Sequence, residues 1–173
     1  PDKDKEWSDT VVQATFKKIK KYLTLINIKP SLKTNPRLEH ETNKAIKLVT
    51  ENIENMKYNL AVIALTDFIN YLYNNVATKQ SLIVLAKISC PFTPHIAEEL
   101  YSKLGNKTFV STSIWPKYST LKIKEEFEAI EVLEKQVTQD ISEILKLLKI
   151  KPREISLYVS ESWKYPLYKK LKK

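Results

Sequence analysis

The segment SLIVLAKISCPFTPHIAEELYSKLG, residues 81–105, decides what kind of fold this chain can make. Its first nine residues are almost wholly apolar, with Leu82, Ile83, Val84, Leu85, Ala86 and Ile88 in one run. Such a run is expected as a central helix buried on most sides. Pro91 stops it, because proline has no N–H for the helical ladder. Thr93-Pro94 then reads as the cap and first turn of a following helix over residues 95–104. Gly105, the only glycine in the chain, falls where a left-handed helix C-cap needs a residue without a side chain.

Toward the N-terminus, Ser8 is a helix-capping residue, and Trp7 before it can pack on Val12 as a hydrophobic staple. Val12, Phe16, Ile19, Leu23 and Ile26 follow in steps of three and four, with Lys17, Lys18, Lys20 and Lys21 on the opposite arc. That pattern predicts an amphipathic helix with a basic back, ended by Pro30. Asn35-Pro36 gives an N-cap and a first-turn proline for a second helix through Leu38, Ala45, Val49 and Ile53. Lys57-Tyr58-Asn59 interrupts the pattern. A third helix is expected over residues 59–73, with Ala61, Ala64, Leu65, Phe68 and Leu72 facing inward.

Toward the C-terminus, residues 106–119 read as irregular or briefly extended around Phe109, Val110, Ile114, Trp115 and Pro116. The longest helix is expected over residues 122–148, with Phe127, Ile130, Leu133, Val137, Ile141, Ile144 and Leu148 as its apolar stripe. After Lys151-Pro152, Ile155-Ser156-Leu157-Tyr158-Val159 reads as a strand. The fold is therefore expected to be mainly α: an antiparallel bundle of five or six helices over residues 1–149. Residues 150–173 form a linker and the start of a further domain, since a lone strand needs sheet partners that these residues do not supply. The chain opens on Pro1, not Met, which suggests a piece of something longer.

Composition excludes several functions. One glycine cannot build a dinucleotide or phosphate loop, each of which needs several close approaches of backbone to phosphate. One cysteine and two histidines fall short of a zinc site built from four cysteines, or from two cysteines and two histidines, and one cysteine makes no internal disulfide. Residues 1–6 are charged without an apolar stretch, so no signal peptide is expected, and no run approaches the roughly 18 apolar residues of a membrane span. No membrane partner is expected, and the location is expected to be cytoplasmic.

The catalytic inventory is thin, and no catalytic or metal-binding residue is assigned. His95, Glu98 and Glu99 share one helix face and resemble half of an acid/base or metal site, or else form a polar, solvated first turn. Cys90 is either a nucleophile awaiting a base or a small buried hydrophobe. The 29 Lys and Arg against 20 Asp and Glu give a net charge of +9, with basic ends and an acidic long helix. A basic surface binds polyanions by releasing their condensed counterions, but a lysine-rich surface can also simply be solvated. Trp115 fits either a base-stacking platform or a cover for the core edge.

Residues 88–101, Ile-Ser-Cys-Pro-Phe-Thr-Pro-His-Ile-Ala-Glu-Glu-Leu-Tyr, closely resemble a signature of the anticodon-binding helical domain in class Ia aminoacyl-tRNA synthetases, with Tyr101 where Trp is usual. Residues 50–65, TENIENMKYNLAVIAL, resemble the leucyl family's version of the preceding helices, with Leu60 where Thr is usual. Glu6-Trp7-Ser8 matches the start of the same helical domain, and Ile114-Trp115-Pro116-Lys117-Tyr118 matches a segment that follows the signature in leucyl enzymes. Residues 157–165, LYVSESWKY, resemble a segment of the archaeal and eukaryotic type. The resemblance covers essentially the whole chain.

The resemblance implies the tRNA-binding part of an ATP-dependent leucine–tRNA ligase, docking the tRNA body through phosphates and sugars so that the acceptor end reaches a remote active site. ATP and Mg, and the signatures that hold them, belong to other parts of such an enzyme. The piece itself is expected to hold no cofactor and to be inactive alone. Its implied partners are leucine-specific tRNA and the remaining domains of the same synthetase, with residues 150–173 beginning a C-terminal tRNA-binding domain. Arg37 and Lys57 lead the contact candidates, because Arg forks across phosphate oxygens and a turn Lys projects into solvent. Lys44 and Lys47 share the arc of Arg37, and Lys17, Lys18, Lys20, Lys21 and Trp115 complete the set. Lys169, Lys170, Lys172 and Lys173 are either RNA contacts or a solvated tail. A protein-interaction scaffold, and a synthetase paralogue without ligase activity, remain as alternatives.

Overall fold

A computed structural model of the chain describes residues 8–149 and 152–166. It divides into two compact units, residues 1–128 and 129–173. The first holds α1 (Asp9–Ile26), α2 (Pro36–Glu54), α3 (Tyr58–Asn74), α4 (Lys79–Ser89), α5 (Pro94–Lys103) and the opening turn of α6 (Glu125–Leu148). Two single 3-10 turns, Val110–Thr112 and Thr120–Lys122, lie between α5 and α6.

Helix α4 is central, as its composition predicts. Leu82, Leu85, Ala86, Ile88 and Ser89 are fully buried, and Ser81 and Val84 nearly so. Around it α2 packs on α3, α5 packs on α4, and α1 packs on α3 and α5. The inward face of α3 is the predicted one, with Ala61, Ala64, Leu65, Phe68 and Leu72 all buried. Asn35 caps α2 by accepting from the Leu38 N–H at 2.7 Å, with Pro36 in the first turn. A capping box starts α4: the Thr78 hydroxyl accepts from the Ser81 N–H at 3.2 Å, and the Ser81 hydroxyl accepts from the Thr78 N–H at 3.0 Å. Gly105 ends α5 in the left-handed region at φ +85°.

Several expectations change. Helix α1 buries only the end of its predicted stripe: Val12, Phe16 and Leu23 are exposed and Ile19 is half-buried, while Ile26 is buried together with Tyr22 and Leu25. Tyr22 sits at an angle the hydropathy pattern assigns to the polar side, and it is tolerated inside because its hydroxyl shares a hydrogen bond with Ser89. Burial holds the Tyr22 phenol well above its usual ionisation range. Ser8 and Thr93 occupy cap positions without side-chain cap bonds, and the Thr93 hydroxyl instead donates back to the Ser89 carbonyl. The Trp7 staple lies outside the described residues, as do the lysines at 169, 170, 172 and 173. Helix α6 begins at Glu125 rather than 122, because residues 120–122 close into a 3-10 turn.

In the second unit, α6 continues as a largely exposed helix braced by surface pairs one turn apart, Lys135 to Glu131 and Gln139 to Glu143. Its predicted stripe is not buried, with Leu133, Ile144 and Leu148 each more than half exposed. The predicted strand does not form. Residues 155–159 have no regular secondary structure, and among the described residues the backbone makes an isolated β-bridge only between Ser31 and Thr78. Extended backbone without a ladder partner gains nothing over water. No helix among the described residues is long and apolar enough to cross a membrane.

Leu85→Ala removes a fully buried side chain from the shared helix and is expected to cost about 2–5 kcal/mol in denaturant unfolding. A Cβ on Gly105 meets nothing closer than the Lys79 Nζ at 4.0 Å, so Gly105→Ala should cost only the backbone strain of the left-handed region, about 1–2 kcal/mol in the same assay.

Candidate nucleic-acid interface

Residues 110–124 form a strap laid across α5, α4 and α2, held by a side chain at each crossing. Glu98 on α5 accepts from the Val110 N–H at 2.8 Å and the Ser111 N–H at 3.2 Å. Lys87 on α4 donates to the Ile114 carbonyl at 3.0 Å. The Trp115 indole N–H donates to the Thr50 hydroxyl at 2.8 Å, and Asn43 accepts from the Ser119 N–H at 2.8 Å. Finally, the His40 Nδ1 accepts from the Lys124 N–H at 3.0 Å. Beneath the strap, Ile46, Ile83, Val84 and Trp115 line a groove of about 450 Å3 that Lys87, Lys117 and Lys122 also border.

Glu98 is therefore tied to the strap instead of standing free in a solvated first turn. Val110 above all, with Ser111, holds the Glu98 carboxyl below the usual carboxylate range, against the opposing effect of burial. His95 is exposed at the start of α5, and Glu99 pairs with Lys103 one turn on. Among the described residues no group of His, Cys, Asp and Glu could hold a metal ion. Cys90 is half-buried at the end of α4, and burial pushes its thiol up, away from the reactive thiolate.

The predicted cations divide by environment. Lys57 is exposed at the tight α2–α3 turn, where Met56 adopts φ +55° and the Lys57 N–H donates to the Asn52 carbonyl at 2.7 Å. Lys17 and Lys18 are exposed on α1, and Lys20 lies over the Phe16 ring at 4.7 Å. Lys21 is drawn inward, donating to Asn70 at 2.8 Å beside the Tyr73 ring. Lys44 pairs with Glu128 at 3.6 Å. Lys47 is half-buried, and so is Arg37, which stands with Glu41 beside the Tyr71 phenol. Burial, then Glu41, raise the Tyr71 ionisation, and Arg37 opposes them. Trp115 is also half-buried, packed on the core with its N–H engaged. The structure thus spreads these residues over several faces.

Sequence reading missed the anchors His40, Asn43 and Thr50. They fall at i, i+3 and i+10, on one arc of α2, and a polar arc reads as solvated. That arc is where the strap lies, so uncharged, hydrogen-bonding residue types on it were the available signal.

Residues 36–157 match the family described as "Anticodon-binding domain of tRNA ligase". The chain belongs to this family of anticodon-binding domains. It is 34% identical over 137 residues to the "Leucine--tRNA ligase" of Methanocaldococcus jannaschii, covering 75% of this chain and 14% of that protein. The protein of the same name from Pyrococcus furiosus is 32% identical over 188 residues, covering 95% of this chain and 19% of its own. That of Bdellovibrio bacteriovorus is 33% identical over 126 residues, 68% of this chain and 16% of its own. The chain spans about a seventh to a fifth of the length of these curated relatives.

The depressed Glu98 ionisation makes the strap anchor pH-dependent in a defined direction. Its contribution to stability is complete above the unfolded value, about 4.3, and is lost as pH falls through the lower folded value. Glu98→Gln should remove this acid-limb dependence and speed hydrogen exchange at the Val110 and Ser111 amides. An unchanged acid limb in urea melts across pH would contradict the assignment.

Proposed function

We propose that this chain is the tRNA-docking helical part of an ATP-dependent leucine–tRNA ligase. It holds the tRNA body so that the acceptor end reaches a catalytic centre in another part of the enzyme. The observation that carries this reading is the anticodon-binding family match over residues 36–157, seconded by relatives named as leucine–tRNA ligases. The net charge of +9 suits a polyanionic partner. The helical bundle takes residues 1–149, and residues 150–173 lead into a further tRNA-binding domain. ATP and Mg serve the catalytic part, and the ligase works in the cytoplasm with leucine-specific tRNA and with its own remaining domains.

Docking of this kind fixes register through phosphate and sugar contacts without reading bases. The geometry reorders the contact candidates. Lys57 comes first, because it projects from a turn with no ion pair to any described residue. Lys17 and Lys18, exposed together on α1, come next. Lys20, Lys47 and Arg37 are secondary, since each already lies against neighbours in the fold or is half-buried. Lys21 and Lys44 would have to give up internal partners. Trp115 would have to leave the core edge to stack on a base.

Binding of the chain to tRNA-Leu, and to a tRNA lacking the long variable arm, at two salt concentrations tests the reading. Salt-sensitive binding to both is expected, and no binding at low salt would refute a docking role. Lys57→Glu is expected to weaken binding and to lower the slope of log affinity against log salt by about one. An unchanged slope would remove Lys57 from the interface.

A further inference from the structure

His40 is the one histidine in the fold's interior, with no exposed surface at all. It lies on α2, with the Lys124 N–H donating to its Nδ1 at 3.0 Å and the Phe127 ring against its own at 5.4 Å between centroids. We propose that His40 is a positioning residue that holds the end of the strap and the first turn of α6 only while its ring is neutral, so that protonation releases them.

A backbone N–H can only donate, so Nδ1 must carry a lone pair and the ring proton must sit on Nε2. Nδ1 is then the only site for a second proton. Adding it sets an N–H of the imidazolium against the N–H of Lys124, two donors with no acceptor between them. The hydrogen bond is lost without any change in packing volume, and the Lys124 amide is left without its acceptor or must move to water.

Charged groups lie on every element packed around His40. On α2 they are Arg37, Glu39, Glu41 and Lys44, with the Glu41 carboxylate 4.0 Å from Nε2. Tyr71, on α3, stands beside Arg37 and Glu41. From the strap come Lys122 and Lys124, and from α6 Glu126 and Glu128. Lys44 faces Glu128 at 3.6 Å, Lys122 faces Glu39 at 3.3 Å and Lys124 faces Glu126 at 3.8 Å. These three pairs are solvent-exposed to a large degree and hold the segment weakly. The His40 bond differs from them in that its acceptor ring is fully buried. The rest of the strap hangs on Glu98, on the Trp115 to Thr50 bond and on the Asn43 bond to the Ser119 amide, none of which titrates between pH 5 and 7.5, so release is confined to residues near 120–128.

Nitrogen-15 spectra and amide exchange of the chain from pH 7.5 to 5 test this, a range in which an ordinary imidazole changes charge. At pH 7.5 the His40 Nδ1 is expected to be unprotonated. On lowering pH, protection of the Lys124 amide, corrected for intrinsic exchange, is expected to fall by about tenfold or more, while Val110 and Ser111 keep theirs. His40→Asn offers an amide oxygen in place of Nδ1 and cannot titrate, so its Lys124 protection should stay within about twofold over the range. A proton on Nδ1 at pH 7.5, a flat wild-type profile, or an equal loss in His40→Asn each overturns the proposal. Should His40→Asn fail to fold, the wild-type contrast between Lys124 and the Glu98-bound amides decides the matter.

Discussion

Helix α4 has eleven residues and seven of its side chains are buried, so the rest of the first unit has to surround it. A helix apolar on most of its circumference gains its stability only from neighbours that exclude water. Helices α2, α3 and α5 supply those neighbours directly, and α1 reaches the end of α4 through the Tyr22 and Ser89 hydroxyls. The two ends of α4 are defined by backbone chemistry. Thr78 and Ser81 satisfy each other's amides at the start, and Pro91 forbids continuation after Cys90.

Burying α4 leaves one flank of it, and the polar arc of α2, to be covered by irregular chain. A strap has no ladder to satisfy its own amides, and each buried N–H without a partner would cost about 1–3 kcal/mol. Side chains on the helices take up that role. Glu98 takes two amides, Asn43 takes one and His40 takes one. The acceptors are therefore placed on the helices rather than in the strap. Charged residues divide in the same way: Lys21, Lys44 and Lys87 are taken up by internal partners, while Lys17, Lys18 and Lys57 remain at the surface. A net positive chain thus spends part of its positive charge on internal contacts.

Residues 50–65 and 88–101 were enough to read both the family resemblance and the helical class, and the sequence by itself determined which helices exist. Apolar spacing, Asn35-Pro36, Pro91 and Gly105 are local signals whose physics does not depend on the fold: a proline lacks its N–H and a glycine lacks its Cβ wherever they occur. The inward face of α3 was legible for the same reason. Only the tertiary structure decided which face of α1 is buried, because Tyr22 can enter the core once Ser89 is there to meet its hydroxyl, and that partner lies 67 residues away. It also decided that Glu98 and His40 are anchors. Hydrogen-bond satisfaction is a property of pairs brought together across the chain, and no local window of sequence contains both members.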